Sequence, residues 1–224
     1  MGFATSRPEQ AAIAAVARRY SARWDGRYLV LGGRQVALQF VALRQKATRD
    51  DRPRLRFDRV VLRLVADLRT AVSEIIAPDQ TVIVTVTAPV RLGGKTAAAI
   101  ADRIRDGLGR GDVRTTIHGN QVRLRRIADV PKPMPRLIGF VHNAETDPGP
   151  ILDLTQSFVR GIGEVARKRV SRPSTRERWL VLISQNGHPH AETYRRIWEQ
   201  IALPLGFTKI LIVLPDGEVE ELTV

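Results

Sequence analysis

Three groups of residues have the types and spacing to do chemistry. The first is Pro89-Val90-Arg91-Leu92-Gly93-Gly94-Lys95-Thr96, set between an apolar β-branched run and an amphipathic helix pattern. A phosphate loop reads G-x-x-x-x-G-K-[ST] in that context, because glycine N–H groups and a lysine wrap the phosphates. Here the first glycine is Pro89, which has no N–H and a fixed φ, so the loop cannot wrap a phosphate in the usual way. No strand ending in a carboxylate follows to hold magnesium. What remains is a helix start at which Gly93, Gly94, Lys95 and Thr96 are expected to hold a single anionic group.

The second group is positional. All four histidines, His118, His142, His188 and His190, fall at or just past the end of a strand-like stretch. In open α/β sheets ligands bind at the carboxyl ends of parallel strands. Strands ending at Thr87, Val141 and Ser184, if they are parallel neighbours, would gather Thr87, His142, Asn143, Asn186 and His188 on one rim. Glu145, Asp147 and Glu192 are close enough in sequence to add charge. The spacing forces no convergence on a cation, so no metal and no cofactor are predicted.

The third group is basic surface. Val113–His118 and Gln121–Ile127 read as a hairpin. A Gly119-Asn120 turn would set Ile117 opposite Val122, Thr115 opposite Leu124 and Arg114 opposite Arg125. One face of the hairpin then carries Arg114, Arg123 and Arg125, and like charges directly opposite need a carboxylate or an anion between them. A second basic run holds Arg167, Lys168, Arg169 and Arg172. These seven side chains are the expected contacts to a phosphate-bearing partner, nucleic acid first. Stacking aromatics are missing from both runs, which disfavours reading of single-stranded bases.

Other chemistries fail on residue type. There is no cysteine and no G-x-S-x-G sequence, so thiolate and nucleophile-elbow mechanisms are excluded. The order helix, hairpin, helix, strand from Glu9 to Val86 is loosely similar to the restriction-endonuclease-like core. Gln39 stands where that core wants an acid, and paired carboxylates are lacking, so no magnesium site and no membership follow.

The elements that must position these residues are legible from periodicity. Ser6-Arg7-Pro8-Glu9 is a capping box, followed by Ile13, Val16, Ala17 and Tyr20 on one helical face. Tyr28–Leu31 and Arg34–Leu43 read as a hairpin about Gly32-Gly33, and Lys46–Arg56 as a charged loop. Asp58–Ile76 is a helix with Val61, Leu64, Val65, Leu68 and Val72 inward. Thr81–Val86 is a strand buried on both faces, and Ala97, Ile100, Ala101, Ile104 and Leu108 form the apolar stripe of the helix after it. Arg136–Val141, Trp179–Ser184 and Lys209–Leu214 read as further strands, with helices at Ile151–Val170 and Ala191–Ala202 and a closing hairpin about Pro215-Asp216-Gly217.

Strands alternating with helices give an α/β fold: a mixed sheet with buried parallel strands, flanking helices and antiparallel hairpins at the edges. The alternate prolines of Val130–Arg136 are expected to form a stiff connector, residues 129–136, between an N-terminal half, 1–128, and a C-terminal half, 137–224. The two halves could share one sheet.

Composition bounds the partners. At 224 residues the chain can bury a full core without staples. The net charge of +13 favours polyanions. Only five of the cations are lysine, an arginine bias that a GC-rich bacterial genome also produces. No apolar run is long enough for a membrane span and no signal peptide opens the chain, so a cytoplasmic protein without a membrane partner is expected. The expected function is binding of phosphate-bearing partners through arginine surfaces; the competing one is a small-ligand protein or enzyme with its site near Lys95 and His142.

Overall fold

A computed structural model describes residues 6–43, 55–56, 59–109, 111–132, 134–168, 177–185, 191–201 and 206–222. In chain order the elements are α1 (Arg7–Arg19), β1 (Arg23–Trp24), β2 (Leu29–Leu31), β3 (Arg34–Leu43), β4 (Leu55–Arg56), α2 (Arg59–Val72), β5 (Thr81–Thr87) and α3 (Gly93–Arg105). They continue with β6 (Asp112–Ile117), β7 (Asn120–Ile127), β8 (Leu137–His142), α4 (Gly149–Lys168), β9 (Glu177–Ser184), α5 (Ala191–Ile201), β10 (Lys209–Val213) and β11 (Val219–Glu221). The fold is α/β with two mixed sheets and antiparallel hairpins.

The compact units do not follow the expected halves. One unit joins residues 1–47 to 164–224; the other is 48–163, carried as an insertion between β3 and β9. The sheet of the first runs β1-β2-β3-β9-β10-β11, with β3, β9 and β10 parallel. Its core on one face includes Ala12 and Val16 of α1, Leu29, Val36, Trp179, Val181, Leu211 and Val219. The capping box forms as its residues dictate: the Ser6 N–H donates to Glu9 Oε2 at 2.7 Å.

The inserted unit has a sheet of order β4-β8-β5-β7-β6. Its centre is β5, parallel to β8 on one side and antiparallel to β7 on the other. Val82, Val84 and Val86 of β5, with Val122, Leu124, Leu137 and Val141, meet the stripes of α2 and α3 read from the sequence. Gly139 of β8 faces Val65 of α2 so closely that an added Cβ would lie 2.9 Å from Val65 Cγ2. Backbone approach, not flexibility, fixes that glycine.

The proline stretch does not divide the chain. It carries the backbone from the end of β7 past the start of β5 to β8, a step of about two strand spacings, roughly 10 Å. It is stitched there: the Thr81 hydroxyl donates to the Pro135 carbonyl, Val82 N–H to the Arg136 carbonyl and Val130 N–H to the Asp79 carbonyl. Val130 and Met134 are buried. Prolines suit a segment that crosses a strand end and has few N–H groups to satisfy. The end of the expected charged loop, Leu55–Arg56, instead pairs antiparallel with β8.

The arginine hairpin turns one residue earlier than expected, which shifts each cross-strand partner by two residues. Its turn is His118-Gly119, both with positive φ (49° and 76°), and Ile117 pairs with Asn120. Two consecutive positive-φ residues make the turn whose twist matches a hairpin. Asn120 is drawn out of the turn because its amide is needed inside, as described below. Consequently Arg114 lies opposite Arg123, and Asp112 opposite Arg125.

Candidate functional site

The register of the inserted sheet gathers polar residues on the face away from α2 and α3. Thr85 pairs with Arg123 on β7 and with Phe140 on β8, and Thr87 pairs with His142. Residues two apart on a strand share a face, so Thr85, Thr87, Gln121, Arg123 and His142 converge. The β8–α4 turn adds Ala144, Glu145, Thr146, Asp147 and Pro148. Together these line a cleft of about 400 Å³ at the carboxyl ends of the parallel pair β5 and β8.

His142 is 3 % exposed. Its Nδ1 lies 2.8 Å from the Asn143 carbonyl oxygen and 3.3 Å from Thr146 Oγ1. A carbonyl can only accept, so Nδ1 carries the proton and Nε2 of the neutral ring is left as an acceptor. Burial holds the imidazole below its ordinary protonation range, against the opposing pull of the Asn143 carbonyl, so the neutral ring is the resting form. Nε2 faces Thr87 Oγ1 at 3.4 Å, a long contact. The arrangement is an oriented base with a hydroxyl in front of it.

Thr85 is fully buried, and its hydroxyl has no hydrogen-bond partner. Native structures rarely leave such a group unpaired, and one on the floor of a polar cleft marks a place where a further group is wanted. On the wall, Arg123 Nη1 meets Asp147 Oδ1 at 3.1 Å. The same Asp147 oxygen accepts the Gly149 N–H at 3.0 Å, starting α4.

The residues singled out from the sequence are distributed as follows. Arg125 is held by Asp112 (2.5 Å at Nε), by Asp153 (2.6 Å at Nη1) and by Gln156 (3.0 Å). That engagement raises the guanidinium's proton affinity and holds the Asp112 carboxyl below the usual range, chiefly through their direct hydrogen bond. Arg123 is held by Asp147, whereas Arg114 is exposed and makes no ion pair among the described residues. Thus two of the three arginines singled out on the hairpin, Arg123 and Arg125, have carboxylate partners.

The Gly93–Thr96 start is built differently from an anion cradle. Thr96 is fully buried and its hydroxyl donates to the Arg91 carbonyl at 2.8 Å. Leu92 takes the N-cap position in a left-handed conformation with φ 47°, and the Ala88-Pro89 peptide is cis. Lys95 and Gly94 are exposed, Gly93 half-buried, and none of the three lines the cleft.

Asn143 contributes its carbonyl to the site, as the partner of His142. Strand β9, which ends at Ser184, belongs to the other sheet, between β3 and β10, so it is no neighbour of β8 and the single rim is not built. Asn186 and His188 lie outside the described residues, as do Arg169, Arg172 and the side chain of Lys168. Arg167 is exposed in the last turn of α4. Among the described residues no three His, Asp or Glu side chains are grouped to hold a metal ion, and no helix is long and apolar enough to cross a membrane.

Sequence reasoning placed Asp147 and Glu145 near His142 but missed that Thr85, Gln121 and Arg123 join them in one site. Thr85 sits in a run of apolar residues and Arg123 in a hairpin read as basic surface; only the cross-strand register brings them together. The signal available was the polar interruption Thr81, Thr85, Thr87 on one face of an otherwise apolar strand. No protein family, curated protein or solved structure matches the chain.

Proposed function

We propose that the protein binds a small polar molecule in the cleft at the carboxyl ends of β5 and β8. The observation that carries this reading is the buried Thr85 hydroxyl, without a partner, on the floor of a cleft whose other groups are polar. Thr85 and Thr87 offer hydroxyls, His142 an acceptor at Nε2 and Arg123 a cation, so one compact ligand can satisfy them together. His142, with its ring fixed by the Asn143 carbonyl, is the candidate base should the bound molecule also react.

The test is a thermal-shift screen of small polar compounds, comparing the wild type with Thr85→Val. Valine keeps the shape and removes the hydroxyl. A ligand that uses this site raises the wild-type melting temperature and loses most of that effect in the variant. A screen in which every stabilising compound acts equally on both proteins overturns the reading.

The nucleic-acid reading is carried by one further observation: Arg114 is exposed and forms no salt bridge among the described residues, on a chain of net charge +13. With Arg123 and Arg125 engaged by acids, contacts to phosphate would be few, and the fall of affinity with salt correspondingly shallow. Titration of duplex DNA and of RNA at several salt concentrations measures that slope; no binding at low salt removes this reading.

A further inference from the structure

Arg114 and Arg123 stand directly opposite each other on the β6–β7 hairpin; Arg123 lines the cleft, and Arg114 lies beside it on the edge strand, just outside the lining. Like charges in that relation repel unless something negative lies between them. Among the described residues three carboxylates pair with the arginine row, and two of them, Asp112 and Asp153, make their direct ion pairs with Arg125. Among the described residues Asp147 is the carboxylate that meets Arg123, through one guanidinium nitrogen, and Arg114 forms no salt bridge, feeling only the field of Asp112 two residues away on its own strand. Asp147 comes from the β8–α4 turn and its side chain is 49 % exposed, whereas that of Arg123 is 21 % exposed. A half-buried guanidinium is thus met by a carboxylate that reaches in from an exposed turn.

Resting on the cleft reading above, we propose that the ligand carries an oxyanion, carboxylate or phosphate, that binds Arg123 and Arg114 with Asp147 standing in its place when no ligand is present. The planar guanidinium of Arg123 has N–H groups besides the one given to Asp147, in the fork that matches an oxyanion. The hydroxyls of Thr85 and Thr87 can donate to the same oxyanion. His142 Nε2, an acceptor met among the described residues only by the long contact to Thr87, is better matched by a donor on the ligand, so a hydroxylated acid or a phosphate ester fits the cleft better than a bare anion. Asp147 then sets the affinity: its charge competes with the ligand's for one guanidinium. Glu145, exposed at the same cleft, opposes an anion too, but from solvent, where its field is screened.

The experiment follows the His142 ring signals by NMR while inorganic phosphate, acetate and glycerol are titrated separately at constant ionic strength. Asp147→Asn keeps an oxygen for the Gly149 N–H and removes the charge; Arg114→Gln removes an exposed cation. Phosphate or acetate is expected to shift the ring signals, Asp147→Asn to tighten binding several-fold, and Arg114→Gln to weaken it several-fold. Glu145→Gln is expected to act in the direction of Asp147→Asn, more weakly. Which of the two anions binds tighter identifies the headgroup. Unchanged or weaker anion binding in Asp147→Asn, or no effect of Arg114→Gln, overturns the proposal. If glycerol alone perturbs His142, the cleft reading stands and the oxyanion falls; if nothing does, both fall.

Discussion

Asn120 Nδ2 donates to Thr96 Oγ1 at 3.0 Å, tying the arginine hairpin to the first turn of α3. The same amide donates to the carbonyls of Arg91 and Ile117 (2.9 and 3.0 Å), and its Oδ1 accepts the Arg91 N–H at 2.8 Å. The side chain is 2 % exposed, so all of these bonds replace water. Asn120→Ala would leave the Arg91 N–H without its acceptor and the Thr96 hydroxyl without its donor. Buried groups left unmatched cost about 1–3 kcal/mol each. We expect Asn120→Ala to destabilise the protein by about 2–4 kcal/mol, measured by urea unfolding, and Asn120→Asp to do so too because it loses every donor.

The amide of Asn120 also explains what the sequence did and did not disclose. The strand, glycine turn and helix from Gln80 to Gly109 were legible because β-branched residues and a 3.6-residue apolar stripe dictate them locally. The use of Gly93–Thr96 was not, since a G-G-K-T helix start is compatible with an anion or with an internal cap. Only the partner across the hairpin, Asn120, decides between them, and a slip of register by two residues hides it. The same holds for the cleft. His142 was marked by its place after a strand, but Arg123 and Thr85 meet it through strand pairing, which residue spacing alone does not encode. The two units were hidden for a similar reason: β3 pairs with β9, across more than a hundred intervening residues of the insertion.

Arg125 gives a second prediction. Its side chain is 15 % exposed and is shared between Asp112 on β6 and Asp153 on α4. Arg125→Met keeps the apolar stem and strands two carboxylates near each other. We expect a loss of about 1–3 kcal/mol at neutral pH, because breaking one side of a largely buried pair leaves uncompensated charge. The sign with pH follows from Asp112, whose carboxyl is held low when folded. The stabilisation is present above the unfolded carboxyl range, about pH 4, and is lost as pH falls through the folded value. Wild type and variant therefore converge in stability in acid, which melting curves between pH 7 and 3 will check.

Gly139 gives a third. Its Cα faces Val65, with 2.9 Å from an ideal Cβ to Val65 Cγ2 and 3.3 Å to Cγ1. Gly139→Ala should push α2 off the sheet and cost about 1–3 kcal/mol, the usual effect of overpacking. Val65→Ala alone opens a partly buried site and is mildly destabilising. The double variant should recover much of the loss, a coupling read from a double-mutant cycle in urea. Simple addition of the two effects would show that α2 is not pressed on β8 at this point.

The fourth prediction concerns His142 and its protonation. Burial pushes the ring's proton affinity down in the folded chain, while the unfolded ring titrates near 6.5. As pH falls through that unfolded value the unfolded state binds a proton that the folded state does not, so stability drops; the drop ends once the folded ring is protonated too. The neutral ring's contribution is therefore complete above about pH 7.5 and declines below it. His142→Gln removes the titrating group and retains a side chain able to donate to the Asn143 carbonyl. Its melting temperature should fall less steeply than the wild type's between pH 7.5 and 5, with Asp112 and other carboxyls adding a common decline only at lower pH. The ring's own titration by NMR checks the cause independently. A midpoint above 6.5 would mean that the Asn143 carbonyl and the field of Asp147 outweigh burial, and the resting form would be the imidazolium. Nε2 would then donate rather than accept, and a cleft of that polarity would favour bare anions over hydroxylated ones.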